Sequence, residues 1–420
     1  MTYRIVAQNK NIKGEIQLER SKSIANRVLM IRALCSEAFE IQNLSTAQDT
    51  QTLVRLLQQH DSNIYDAGPA GTTFRFLTAF FAFRKGSQIM TGSERMKQRP
   101  IAKLVDALRA LGANIEYMEQ EGYPPLKIHA PDKALTVSAI EIESSVSSQY
   151  ITALLLLAPT LKDGLSLSLI GDIVSRPYIE MTLSLMAYFG VQSTWEGNKI
   201  TVAPQAYQPL PIRIEADWSA ASYYYAIAAL ANKADIRLVG LMQGSLQGDA
   251  ALSDMMTEFG VTTTFEADAI RIQKSENATV AAAFEYDFLR CPDVAQTLAV
   301  ICGGLGVQGL FSGLETLKIK ETDRIAAIQN EMGKAQVWFS PLPQRFSKKN
   351  TQNIYYMLEG KVICPSPYFI ATYDDHRMAM AFAPLALLAD VDIEDPMVVG
   401  KSYPAFWEDL RSLGFEVSEI

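Results

Sequence analysis

Leu104-Val105-Asp106-Ala107-Leu108-Arg109-Ala110-Leu111-Gly112-Ala113-Asn114-Ile115 reads as an apolar-periodic helix, a glycine stop and the opening of an alternating strand. Leu104, Leu108 and Leu111 recur at the spacing of one helix face. Gly112 suits the position just past a helix end, where left-handed backbone costs a glycine little. The same ending returns at Phe189-Gly190-Val191, Phe259-Gly260-Val261, Met332-Gly333 and Leu413-Gly414-Phe415. Leu53 to Ile64 forms a degenerate sixth copy, with Asp61 in the glycine's place. The glycines stand roughly 70 to 80 residues apart, too far for a solenoid repeat but suited to a whole α/β unit of several strands and two helices.

Working outward, 420 residues make two to three domains of about 150. Candidate boundaries fall at Leu18 to Ser21 and in the proline-rich stretch Pro204 to Arg213, just before Glu215-Ala216-Asp217. The expected division is a discontinuous C-terminal lobe (1–18 and 216–420) and an N-terminal lobe (19–215). Each would hold about three repeats, and the strand Arg4 to Gln8 would complete the C-terminal lobe. Apolar residues at 48% and charged residues at 20% exclude disorder, collagen and coiled coil. A net charge of −8 argues against a general binder of nucleic acid or anionic membrane. The four cysteines stand far apart, and with three histidines they make no recognisable zinc site, so a reduced compartment is expected. The start shows no secretory apolar region, and the longest apolar runs, such as Met378 to Ala389, fall short of the roughly 18 residues a membrane span needs. The expectation is a cytoplasmic protein with no metal and no cofactor.

The cations are placed unusually, in Ser/Gly/Thr turns beside helix starts. Ser21-Lys22-Ser23-Ile24-Ala25-Asn26-Arg27 opens a helix that Ser21 or Ser23 can cap, and the free N–H groups there favour an anion. Gly68-Pro69-Ala70-Gly71-Thr72-Thr73-Phe74-Arg75 is a glycine turn that lets a ligand approach the backbone, with Arg75 one turn on. Glu94-Arg95-Met96-Lys97-Gln98-Arg99-Pro100 crowds three cations together, and Arg95 with Arg99 suits one edge of an anion site. Ser147-Ser148-Gln149 and Ser175-Arg176-Pro177-Tyr178 offer hydroxyls and an amide for phosphate or sugar-like oxygens. The second half adds Asp293, Lys320-Glu321-Thr322-Asp323-Arg324, Asp374-Asp375-His376-Arg377 and Gly400-Lys401. Singly, each reads equally as a helix cap or a solvated ion-paired face. Together, in an acidic chain, they point to an interior cleft for a small polyanion.

Ser-Lys-Ser-x-x-Asn-Arg from Ser21, Ala-Gly-Thr-x-x-Arg from Ala70, Arg-Met-Lys-x-Arg-Pro from Arg95 and Ser-Ser-Gln from Ser147 are joined in order by three more motifs. These are Val-Ser-x-Pro-Tyr from Val174, Lys-Glu-Thr-Asp-Arg from Lys320 and Asp-His-Arg-Met-Ala-Met from Asp375. From Lys22 to Lys401 the chain resembles the 5-enolpyruvylshikimate-3-phosphate synthase family. The resemblance implies an α/β fold of two lobes, each of three βαβαββ units about a pseudo-threefold axis, with the active site in the cleft between them. It implies transfer of the enolpyruvyl group of phosphoenolpyruvate to the 5-hydroxyl of shikimate 3-phosphate, releasing phosphate. Two phosphate monoesters near −2 each, plus two carboxylates, put roughly six negative charges in one place, which would account for the cations.

By the same resemblance Asp293 takes the hydroxyl proton, Glu321 serves C3 of phosphoenolpyruvate, and Lys22 competes with it for that role. Shikimate 3-phosphate would meet Lys22, Ser23, Arg27, Ser147, Ser148, Gln149, Ser175, Tyr178, Asp293, Thr316 and Lys320. Phosphoenolpyruvate would meet Lys22, Gly71, Arg95, Gln149, Arg324, Arg377 and Lys401. A monomer using these two small molecules, with no nucleic-acid or membrane partner, is expected. The chain departs from the family at Glu19-Arg20 for Pro-Gly, Pro69 for Asn, Thr316 for a substrate-binding Asn, Thr50 for Asp and Phe76 for Pro. The related UDP-N-acetylglucosamine enolpyruvyl transferases typically carry Lys-Asn where this chain has Lys22-Ser23, and a loop cysteine that the segment around Arg95 lacks.

Overall fold

The structure is a computed structural model that describes residues 1–131, 137–143, 148–171, 173, 176–343, 354–365 and 367–420. The chain forms two compact units. One is continuous, Ser21–Ile214; the other is discontinuous, Met1–Arg20 with Glu215–Ile420. Among the described residues no helix is long and apolar enough to cross a membrane.

One module recurs. Strand Ile64–Asp66 leads through helix Gly71–Phe81 to the parallel strand Ser87–Thr91, then through helix Ala102–Ala110 to the hairpin Asn114–Tyr117 and Leu126–His129. The second hairpin strand lies against Ser87–Thr91, so the sheet order is first, second, fourth, third. The module repeats from Ala139–Glu143 to Lys199–Val202 and from Ala283–Asp287 to Tyr356–Glu359. A fourth copy starts at Tyr368–Ile370 and ends with Glu416–Glu419, and its fourth strand is supplied by Thr2–Val6. In another copy Asn11–Gln17 pairs in parallel with Lys233–Val239, the continuous unit being threaded between that first strand and the helix Trp218–Leu230. The last copy keeps only the parallel pair Ile41–Gln42 and Ile212–Arg213, with no closing hairpin.

That truncation explains the degenerate repeat. Gly112, Gly190, Gly260 and Gly414 take positive φ between 74° and 100° and turn the chain from helix into hairpin. After helix Gln48–Leu57 no hairpin follows; the chain passes directly to Ile64–Asp66, so Asp61 has no such turn to make. Gly333 corrects the sequence reading. It is the last residue of helix Arg324–Gly333, and the left-handed turn falls at Gln336, with φ 60°.

Each unit has its own apolar core. The first helix of each module is its centre. In the discontinuous unit helices Trp218–Leu230, Ala295–Leu305 and His376–Phe382 pack mutually. Trp218–Leu230 carries no charge and is buried at every position, as a helix apolar on all sides must be. Gly304 permits close approach: a Cβ there would lie 2.6 Å from Leu230 Cδ2. Helices Lys22–Leu34, Gly71–Phe81 and Ser148–Leu157 play the same part in the continuous unit. The motifs at Ser21, Ala70, Gln149 and Asp375 therefore fall at the N-termini of central helices, while Arg176 and Arg324 open the second helices of their modules.

Candidate active site

In the discontinuous unit the cluster is built on Arg324, which opens helix Arg324–Gly333 behind the cap Asp323. Arg324 is 1% exposed. Nε donates to Asp375 Oδ2 at 2.7 Å, Nη1 to Asp293 Oδ1 at 3.0 Å and Nη2 to Glu321 Oε2 at 2.8 Å. Asp375 also caps helix His376–Phe382, accepting from the Arg377 N–H at 2.9 Å. Arg377 Nη2 stands 3.1 Å from Asp293 Oδ2 and donates to Ser219 Oγ at 3.2 Å, while Nη1 donates to Tyr223 OH at 3.3 Å. Lys320 Nζ lies 3.5 Å from Asp293 Oδ1. Asp293, in the turn Pro292–Val294 before helix Ala295–Leu305, thus receives Lys320, Arg324 and Arg377.

Burial opposes the charge on Arg324, but Asp375, Glu321 and Asp293 outweigh it and hold the guanidinium above its ordinary pKa. Arg377 follows the same logic, with burial opposed first by Asp293. Burial pushes the Tyr223 hydroxyl up to about 12, so it meets Arg377 as a neutral phenol. Lys401 Nζ donates to the Asp374 carbonyl at 2.7 Å and to its carboxylate at 2.5 Å. Tyr373 and Asp374 are both left-handed, φ 54° and 56°, a locally strained approach to the cap Asp375. Thr316 is buried, and its hydroxyl has no partner among the described residues.

In the continuous unit Ser21 is the cap, its Oγ accepting from the Ile24 N–H at 3.4 Å. Lys22 Nζ donates to Asp49 Oδ2 at 3.0 Å, and Thr73 Oγ1 donates to the Asp49 carbonyl at 3.1 Å. Gln149 Nε2 donates to Thr72 Oγ1 at 3.1 Å, so the starts of the three central helices are tied together. Arg27 is 3% exposed. It donates to Thr182 Oγ1 at 2.8 Å, the Ser23 carbonyl at 2.8 Å, the Tyr178 carbonyl at 3.2 Å and Thr152 Oγ1 at 3.4 Å. No carboxylate answers it among the described residues, and burial lowers its pKa to about 10.

Gly71 begins helix Gly71–Phe81. A Cβ there would lie 2.5 Å from Arg75 Nη1 and 2.7 Å from Arg99 Nη1, so only glycine lets both guanidinium groups close on this turn. Arg75 is buried beneath the Tyr150 ring, 5.5 Å from its centroid. Arg95 is exposed and reaches Gln98 Oε1 at 3.5 Å. Arg176 pairs with Glu180 at 2.8 Å and lies 4.2 Å from the Trp195 ring centroid, an ordinary surface arrangement. Ser148 opens helix Ser148–Leu157; Ser147 and Ser175 lie outside the described residues.

Chemically, each unit offers what small anions need: N–H groups and positive dipole ends of packed helices, with arginine and lysine close by. The discontinuous unit adds carboxylates in contact with those cations, groups of the kind that take up and give back protons. Sequence reasoning missed Ser219 and Tyr223 as braces of Arg377. Their signal was present: two hydroxyls four apart on a charge-free helix must share a face and find buried partners. Asp49, the Lys22 partner, is likewise a residue that the motifs did not single out.

The model of the EPSP synthase (3-phosphoshikimate 1-carboxyvinyltransferase) family matches residues 6–61 and 58–410. The curated 3-phosphoshikimate 1-carboxyvinyltransferase of Bacteroides fragilis is 46% identical over 423 residues, covering 99% of each chain. That of Sulfurovum sp. is 34% identical, over 96% of this chain and 97% of its own. The solved EPSP synthase from Acinetobacter baumannii superposes with a TM-score of 0.75 at 20% identity, covering all of both chains. In architecture this is the enolpyruvyl transferase fold. The chain belongs to the EPSP synthase (3-phosphoshikimate 1-carboxyvinyltransferase) family.

Proposed function

We propose that this protein transfers the enolpyruvyl group of phosphoenolpyruvate to the 5-hydroxyl of shikimate 3-phosphate and releases inorganic phosphate. The observation that carries the reading is Asp293 held by Lys320, Arg324 and Arg377, with Glu321 on the same arginine. Two carboxylates able to move protons thus stand among cations able to hold phosphate and carboxylate.

On this reading Lys22, Ser23, Arg27, Ser148, Gln149, Tyr178, Thr316 and Lys320 hold shikimate 3-phosphate, joined by Ser147 and Ser175. Phosphoenolpyruvate is held by Lys22, Gly71, Arg95, Gln149, Arg324, Arg377 and Lys401. A proton added at C3 makes C2 of phosphoenolpyruvate electrophilic, and the 5-hydroxyl adds there as Asp293 takes its proton. Loss of a C3 proton and of phosphate from the tetrahedral adduct completes the exchange. Glu321 serves C3, with Lys22 as the rival for that step. Arginine and lysine preorganised around the phosphates fix the two reactants against each other and stabilise the developing charge. The enzyme works as a cytoplasmic monomer in this reading.

The test is direct. Protein mixed with shikimate 3-phosphate and phosphoenolpyruvate should release phosphate, and neither substrate alone should do so. No release with verified substrates would overturn the proposal.

A further inference from the structure

Asp249 lies outside every motif that pointed to the site. It belongs to the short turn Gly248–Ala251 and is 7% exposed. The segment is rigidly built. Buried Glu215 accepts from Trp218 Nε1 at 3.1 Å, the Met242 N–H at 3.2 Å, Ser245 Oγ at 2.6 Å and Gln247 Nε2 at 2.9 Å. Gln247 in turn accepts from the Trp218 N–H at 3.1 Å and donates to the Ala216 carbonyl at 2.7 Å. Asp249 is thereby fixed against the start of helix Trp218–Leu230.

One oxygen of its own carboxyl is left unsatisfied: Oδ1 is buried with no hydrogen-bond partner. The charged groups that bear on it are Asp293 before helix Ala295–Leu305, Asp217 at the cap of Trp218–Leu230, Arg377 on His376–Phe382, and Lys320. The buried Cys291 thiol is the other titratable neighbour. Apart from Asp217 and Cys291, these are the groups of the candidate site itself. A rigidly mounted, unpartnered carboxyl is expensive unless a ligand completes it. Burial, reinforced by Asp293 and opposed by Arg377, pushes its pKa up to about 8.

We propose that Asp249 is a ligand-contacting residue of the active site that enters as the neutral acid and donates a hydrogen bond to an oxygen of the bound anions. The inference rests on the function proposed above. Ionised, Asp249 would set another negative charge beside Asp293 and the incoming phosphate or carboxylate. Anion affinity therefore falls as Asp249 loses its proton.

Calorimetry of shikimate 3-phosphate binding between pH 7 and 9 tests this, since the phosphate is already largely dianionic there. Wild-type affinity should fall about fivefold or more across that range, while Asp249→Asn, which keeps a donor and cannot ionise, should change less than about twofold. Asp249→Ala should bind about tenfold more weakly at pH 7. A wild-type titration at pH 8.5 in two buffers of different ionisation enthalpy should show proton uptake on binding. Ligand-free melting gives a separate readout. The folded state holds a proton that the unfolded chain releases near pH 4, so wild type loses stability as pH rises toward 8 and Asp249→Asn does not. An identical pH profile in wild type and Asp249→Asn, absent proton uptake, or full affinity in Asp249→Ala would overturn the proposal. If phosphate release fails but the melting curves diverge with pH, the reaction assignment falls while the buried proton stands.

Discussion

Arg324 donates to Asp293 across 3.0 Å, and the bond joins the turn ahead of one helix to the first residue of another. The same guanidinium binds Asp375, which is wholly buried, and Glu321. The acid–base pair of the proposed reaction and a structural cap therefore hang on one arginine. On the proposed function, an incoming phosphate or carboxylate competes with Asp293 and Glu321 for it, whereas Asp375 stays bound as the anchor.

Asp293→Asn keeps the shape of the side chain and removes its capacity to take a proton. Turnover should drop by about 10²- to 10⁴-fold, with calorimetric affinity for shikimate 3-phosphate retained. A variant with full turnover would remove Asp293 from the mechanism.

Arg324→Met strands Asp375 as an uncompensated buried charge and frees two further carboxylates. Breaking a buried pair from one side should cost about 3–5 kcal/mol in urea denaturation. Arg324→Lys should rescue little, because an ammonium cannot reproduce the fork that spans three carboxylates. An unchanged urea midpoint would contradict this account.

Arg27 presents the opposite case, a buried cation answered by hydroxyls, carbonyls and the Phe76 and Tyr178 rings, with no carboxylate among the described residues. Arg27→Gln should weaken shikimate 3-phosphate by about 100-fold, the loss of a charge-assisted contact. Its effect on stability should stay within about 1 kcal/mol, because an uncompensated buried charge is removed with it. Calorimetry and urea melts together check both halves; a large stability loss with intact affinity would reassign Arg27 to the scaffold.

Gly71→Ala forces a methyl group to within 2.5 Å of Arg75 Nη1 and 2.7 Å of Arg99 Nη1. The arginines must move, so KM for phosphoenolpyruvate should rise about tenfold or more. Shikimate 3-phosphate affinity should change far less. Equal shifts for both ligands would show that the turn is not specific to phosphoenolpyruvate.

The fold was legible where local chemistry decides it. Gly112, Gly190, Gly260 and Gly414 announced their turns because a left-handed residue between helix and hairpin favours glycine. Gly333 misled because Gln336 tolerates that conformation three residues later. Ser21, Asp323 and Asp375 were readable as caps from their place before apolar runs. What could not be read was pairing at long range. Ser219 bracing Arg377 spans 158 residues, and Arg324 meeting Asp375 spans 51. Asp249 escaped notice for the same reason, since its importance lies in neighbours brought by other modules.

Thr2–Val6 sits between Val391–Glu394 and Glu416–Glu419, so it is completed by strands nearly four hundred residues further along. On the ribosome, Ser21–Ile214 can close as soon as it emerges, whereas Ile5 must wait for partners translated roughly ten to forty seconds after that segment is finished. During that interval the unpaired edges of Thr2–Val6 and its Ile5 side chain are available to strangers. Chaperone dependence during synthesis should therefore concentrate on the segment Thr2–Val6.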